Sequence, residues 1–176
     1  KASPSMGMEN RRAVEHLTVT NCVLRTACSN CKFGTESSGD FRNIAVTNVT
    51  MAPREQTGGR WRRPLSGISL ESVDGSNIDG VVISNITMEG VNAPIFIRLG
   101  NRGRGLTPAV PGSVRNISIT NVVARRSAMT SSITGIPGHP VRNVSLSRIS
   151  LGMDGGNRVA GGLDVPEHEA KYPEGT

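Results

Sequence analysis

The stretch Ile78-Asp79-Gly80-Val81-Val82-Ile83-Ser84-Asn85-Ile86-Thr87-Met88 decides the fold. Val81 and Ile83 keep the period of a strand with one buried face, and Asn85 follows where a bend that tolerates a left-handed backbone fits. Four further segments align with it without gaps: VEHLTVTNCVL at 14–24, FRNIAVTNVTM at 41–51, VRNISITNVVA at 114–124 and VRNVSLSRISL at 141–151. Their starts, with the first stretch included, are separated by 27, 37, 36 and 27 residues. The fourth and sixth positions are aliphatic in every copy: Leu17/Val19, Ile44/Val46, Val81/Ile83, Ile117/Ile119 and Val144/Leu146. The eighth is Asn21, Asn48, Asn85 or Asn121, and Arg148 in the last copy.

A repeat of this length that holds strand periodicity, with no helical stretch between copies, predicts an all-β solenoid. Neighbouring coils would stack ~4.8 Å apart, so that equivalent residues form columns. The aliphatic columns fill the interior, and the asparagine column hydrogen-bonds along the stack. A second, weaker strand recurs at Cys31-KFGTES, Gly67-ISLESVDG, Ala93-PIFIRLGNR and Ser131-SITGIPGHP. Two stretches, 51–65 and 100–112, are rich in Gly, Pro and Arg and read as loops leaving on a shared side to wall a groove. Residues 1–151 are thus expected to form one domain of about five coils with two long loop insertions, and 152–176 an irregular excursion.

Composition agrees. Five aromatics in 176 residues leave the core to Val, Ile, Leu and Met, and 21 Gly with 10 Pro favour short strands and tight turns over helices. No apolar run approaches ~18 residues, and Lys1-Ala2-Ser3-Pro4 has no hydrophobic region, so neither a membrane span nor a signal peptide is expected. Of the 20 basic residues 17 are Arg, giving a net charge of +6. They are scattered in small groups without stacking aromatics, which argues against a nucleic-acid partner. An acidic polysaccharide fits a guanidinium-rich surface through bidentate pairing with carboxylates.

Cys28 and Cys31 have the spacing of half a zinc site, but no second pair of Cys or His follows, so with Cys22 they read as partly buried thiols and no metal is expected. The Asn-x-Ser/Thr triplets at Asn48, Asn85, Asn116 and Asn143 have a structural explanation in the repeat before a glycosylation one. His139, in a Gly/Pro turn, and the solitary Asp74, Asp79 and Asp154 read as turn residues. The clustered acids that a calcium-dependent lyase wants in one column are missing.

FGTESSGDFRNI, SGISLESVDG, PIFIRLGNR and SSITGIPGHPVRNV, in this order, resemble strings of the polygalacturonase family, glycoside hydrolase family 28, in its bacterial branch. The resemblance covers nearly the whole chain. It implies a right-handed parallel β-helix, a pectin-type polysaccharide as partner, cleavage of the glycosidic bond by paired carboxylates, no cofactor, and a secreted or periplasmic location. That family's Asn-Thr-Asp and Asp-Asp segments, which carry catalysis, would lie upstream of Lys1, so the chain is expected to be an internal fragment. The family's Gly-His-Gly falls near Ser29 and Asn30, and its carboxylate-gripping Arg-Ile-Lys falls on Ser69-Leu70-Glu71. A Glu facing a substrate carboxylate is repulsive, which points away from plain polygalacturonate and toward a different uronide linkage, a rhamnose-containing backbone as in rhamnogalacturonan hydrolases, or a neutral sugar.

If Phe33, Thr35, Ile68, Leu70, Ile95, Ile97 and Leu99 point inward, alternation turns Lys32, Glu36, Ser69, Glu71, Phe96 and Arg98 outward on one ladder. Together with Lys1 and Arg102 these polar and charged residues are the candidate substrate-binding residues, carboxylates accepting from sugar hydroxyls and cations holding a uronate. The shared Glu-Ser pattern (Glu36-Ser37, Glu71-Ser72) places Glu36 and Glu71 in one column, their carboxylates roughly 5 Å apart. A non-catalytic β-helix that binds carbohydrate, of adhesin or tail-spike type, is the alternative function.

Overall fold

A computed structural model describes residue 2 and residues 11–56, 59–104 and 106–155. Their ordered elements are all strands: β1 Val14–Thr26, β2 Cys31–Phe33, β3 Phe41–Gln56, β4 Arg60–Arg62, β5 Ser66–Ser72, β6 Asn77–Glu89, β7 Ala93–Leu99, β8 Ser113–Ser127, β9 Ser132–Thr134 and β10 Arg142–Met153. The five aligned segments become the long strands β1, β3, β6, β8 and β10, which pair in parallel in that order. The weaker segments become a second parallel sheet, β2-β5-β7-β9. A chain that visits two sheets alternately, each time one strand further along, is compatible with a β-helix or another solenoid.

The long strands bend at regular places. Asn21, Asn48, Asn85, Asn121 and Arg148 all have φ between 53° and 56°. So do, within a few degrees, the residues five positions earlier, His16, Asn43, Asn116 and Asn143, with Gly80 (φ 70°) in the corresponding place of β6. A left-handed residue resets the in/out alternation of a strand, so inward side chains are spaced three, two, three and two apart: Phe41, Ile44, Val46, Val49 and Met51 are buried in β3, and Ile78, Val81, Ile83, Ile86 and Met88 in β6. In register these stack as Val46, Ile83 and Ile119, each essentially inaccessible. Burying each such side chain contributes about 1.5–3 kcal/mol. Asn is the residue that reaches this backbone region most readily after glycine, and here its amide is used as well. Asn48 Nδ2 donates to Asn21 Oδ1 (3.2 Å), Asn85 Nδ2 to Asn48 Oδ1 (3.0 Å) and Asn121 Nδ2 to Asn85 Oδ1 (2.7 Å). A shorter ladder runs from Asn143 Nδ2 to Asn116 Oδ1 and from Asn116 Nδ2 to Asp79 Oδ1, both 2.7 Å. The four triplet asparagines, all exposed, therefore each commit their amide to a hydrogen bond along the stack.

Two expectations change. The stretch 51–65 is not a plain loop: β3 runs on to Gln56 and turns back through β4, pairing Arg54 with Arg62 in antiparallel register. It also joins the second sheet at the start of β5, whereas 100–112 leaves it after the end of β7, so the two stretches flank opposite ends of that sheet instead of one side. Parallel pairing explains this, because every entry into the sheet is at one end and every exit at the other. The last strand continues to Met153, two residues beyond the expected boundary, and Asp154 N–H donates to Ser127 O (2.8 Å). The excursion from residue 156 onward lies outside the described residues.

Candidate functional site

The candidate site lies on the second sheet. Phe33, Ile68, Leu70, Ile95, Ile97 and Leu99 belong to the core, as alternation requires. Their neighbours form two columns on the other face: Lys32, Ser69, Phe96 and Ser132, then Glu71, Arg98 and Thr134. This face is not open to solvent as expected. Ser69, Glu71, Phe96 and Arg98 are all buried, and partial exposure remains only at the two ends of the columns, at Ser132 and Thr134 and at the Lys32 side chain, 19% against 1% for Glu71.

A buried carboxylate is costly unless it is paired and hydrogen-bonded, and Glu71 is both. Ser69 Oγ donates to Glu71 Oε1 (2.6 Å), Lys32 Nζ lies 3.2 Å from the same oxygen, and Ser66 Oγ donates to Ser69 Oγ (3.0 Å). Beside it, Arg98 donates from a terminal nitrogen to Thr134 Oγ1 (3.1 Å). The backbone closes tightly under this group, because a Cβ built at Gly34 (φ 100°) would lie 2.0 Å from Glu71 O. The Lys32 side chain, partly exposed, is held by its ion pair with Glu71.

That same approach corrects the pairing of Glu36 with Glu71. Phe33 is in register with Leu70, so the neighbour of Glu71 on the next strand is Gly34, and Glu36 lies two residues further on. The chain leaves β2 after Phe33 whereas β5 continues to Ser72, and the repeated Glu-Ser dipeptide therefore falls at different heights. Glu36 meets another partner, Arg104, whose terminal nitrogen lies 3.1 Å from Glu36 Oε1.

Arg102 also takes a different role from the expected one. It is 3% exposed and forks onto the fully buried Asp74, Nε to Oδ1 at 2.9 Å and a terminal nitrogen to Oδ2 at 2.5 Å. The backbone N–H of Arg104 donates to Asp74 Oδ1 as well (3.1 Å). Asp74, with no local turn role, is thus the anchor of the 100–112 loop, helped by donation from the Arg102 and Gly103 N–H groups to Val73 O. Asp79 pairs with Arg115 (2.9 Å) and Asp154 with Arg63, so none of the three solitary aspartates is solitary in space. Sequence reasoning missed Arg104 and Asp74 as a unit, and the only available signal was the Arg-Gly-Arg spacing behind Leu99.

His139 is exposed and closes a tight turn through paired backbone bonds with Ile136. The three cysteines are free, and burial pushes the Cys31 thiol up to about 11. Among the described residues no group of His, Cys, Asp and Glu could hold a metal ion, and no helix is long and apolar enough to cross a membrane. Lys1 lies outside the described residues. The chain matches no family model, no curated protein and no solved structure.

Proposed function

We propose that this chain is a right-handed parallel β-helix of about five coils, with 51–65 and 100–112 as its insertions, and that it binds a pectin-type polysaccharide as a glycoside hydrolase of the polygalacturonase type does. The near-universal right hand of parallel strand–crossover–strand connections supports the handedness. The observation that carries the function is the Lys32–Glu71–Ser69 group: a partly exposed lysine fixed by a buried, hydrogen-bonded carboxylate on the face of a parallel sheet. Lys32, Glu36 and Arg104 are within reach of a sugar chain, while Ser69 and Glu71 position Lys32 and Asp74 positions Arg104.

One observation favours the non-catalytic reading of this stretch. Glu15, Glu36, Asp40, Glu71, Asp74, Asp79, Glu89 and Asp154 are each engaged by a cation. Hydrolysis of a glycoside needs one carboxyl to donate a proton and a second to attack or to activate water, with separations of about 5–5.5 or 6.5–9.5 Å. We therefore assign sugar binding to the face that carries Lys32 and Arg104 and bond cleavage to carboxylates other than these eight. The test is titration of the chain with oligomers of galacturonate and of neutral galactose, alongside an assay for released reducing ends. Binding without release is expected, and Lys32→Met should weaken it. Turnover by this chain overturns the assignment of cleavage elsewhere, and absence of binding to either oligomer overturns the saccharide reading.

A further inference from the structure

The two arginines of Arg102-Gly103-Arg104 are held by one buried aspartate but do different things. Asp74 takes both of its oxygens to the Arg102 side chain, and its Oδ1 also accepts the Arg104 N–H. The loop backbone is pinned from inside, and the Arg104 side chain projects from a fixed base toward Glu36. In contrast to the buried Arg102–Asp74 pair, the Arg104–Glu36 pair is partly exposed to water, with side-chain exposures of 30% and 24%.

We propose that Arg104 recognises the carboxylate of an acidic sugar, and that Glu36 occupies its place when no sugar is bound. This rests on the saccharide reading above. A partly exposed ion pair is weak, because water competes for both charges, so exchange of one carboxylate for another carries little penalty. The planar guanidinium can grip a uronate carboxylate through two parallel bonds, a geometry an ammonium cannot copy. Preorganisation by Asp74 spares the loop most of the ordering that binding otherwise costs. Glu36 thus acts as a filter: a neutral sugar gains nothing from displacing it, whereas a uronate replaces it with a carboxylate of its own.

The experiment measures binding of a galacturonate trimer and of the galactose trimer of the same linkage to the chain and to two variants. Glu36→Gln removes the competitor and should tighten the galacturonate trimer about 3- to 10-fold, which damage to the fold does not imitate. Arg104→Gln should weaken the same trimer about 10-fold or more, with unchanged circular dichroism as the control for folding. Neither change should move the neutral trimer. If both trimers bind the parent chain and neither substitution alters the galacturonate affinity, the exchange is wrong and the saccharide reading stands. If the substitutions shift both trimers equally, the pair is merely structural and the inference fails. Binding of neither trimer overturns both readings together.

Discussion

Replacing Asn85 by alanine separates the two things its side chain does. Its backbone sits at φ 55°, where an ordinary side chain crowds its own carbonyl. Its amide and carbonyl each hold a neighbour, Asn48 at 3.0 Å and Asn121 at 2.7 Å. The backbone mismatch is worth about 1 kcal/mol relative to asparagine, and two exposed hydrogen bonds at the low end of their range add about 0.5 kcal/mol each, so Asn85→Ala should cost about 2 kcal/mol. Asn85→Gly leaves the backbone at ease and loses only the bonds, about 1 kcal/mol. Asn21 has one such bond in the ladder instead of two, and Asn21→Ala should cost about 1.5 kcal/mol. Urea unfolding followed by circular dichroism resolves these steps if the slopes stay equal, and the largest of them lowers the thermal midpoint by roughly 4–8 °C in a chain of this size. The ranking is the test. If the glycine variant loses as much as the alanine variant, backbone strain plays no part, and if all three stay within about 0.5 kcal/mol of the parent, the ladder is ornamental.

A methyl at Gly34 would stand 2.0 Å from Glu71 O, whereas one at Gly138 (φ 77°) meets nothing within 4 Å. Gly34→Ala should therefore cost more than ~3 kcal/mol and Gly138→Ala about 1 kcal/mol, and equal losses in thermal melts would contradict the close approach of the two strands. Asp74→Asn leaves Arg102 as a buried charge without its counter-ion, a loss of about 3–5 kcal/mol, and should open Arg102 and Arg104 to trypsin at doses that spare the parent chain. An unaltered digestion pattern would refute the anchoring role. The Asp79 carboxyl is held below its ordinary range chiefly by the hydrogen bond from Asn116, then by Arg115. A folded-state value below the unfolded one adds stability above the ordinary aspartate range and loses it as pH falls through the folded value, so Asp79→Asn should destabilise at pH 7 and converge with the parent in acid. A constant difference down to pH 2 would count against this. With its thiol pushed up to about 11 by burial, Cys31 should resist iodoacetamide at pH 8 until the chain unfolds, while the exposed Cys28 reacts at once, and equal labelling rates would place Cys31 at the surface.

What could be read from the sequence is what a stack of strands repeats. Val46, Ile83 and Ile119 meet the same surroundings one layer apart, so selection for burial leaves the same residue class at the same offset, and the column of Asn21, Asn48, Asn85 and Asn121 is visible for the same reason. The second bend was harder to see because its column is mixed: Asn43, Asn116 and Asn143 stand with His16 and Gly80, which share the backbone conformation and not the amide. The site was legible only where alternation governs it. The inward residues of the second sheet and the column of Lys32, Ser69 and Phe96 follow from alternation and the shared spacing of the strands. Whether Glu36 stands beside Glu71 depends on where β2 ends, which three residues of strand do not announce. Which of two arginines is buried depends on Asp74, 28 residues away in a different turn. Ion pairs between successive exits of a sheet join residues that occur once, not residues that recur, and a repeat contains no information about them. The chemistry proposed for Arg104 lies in that non-repeating part, where an anchor inside the fold and a competitor at its surface are brought together by strands that each look ordinary.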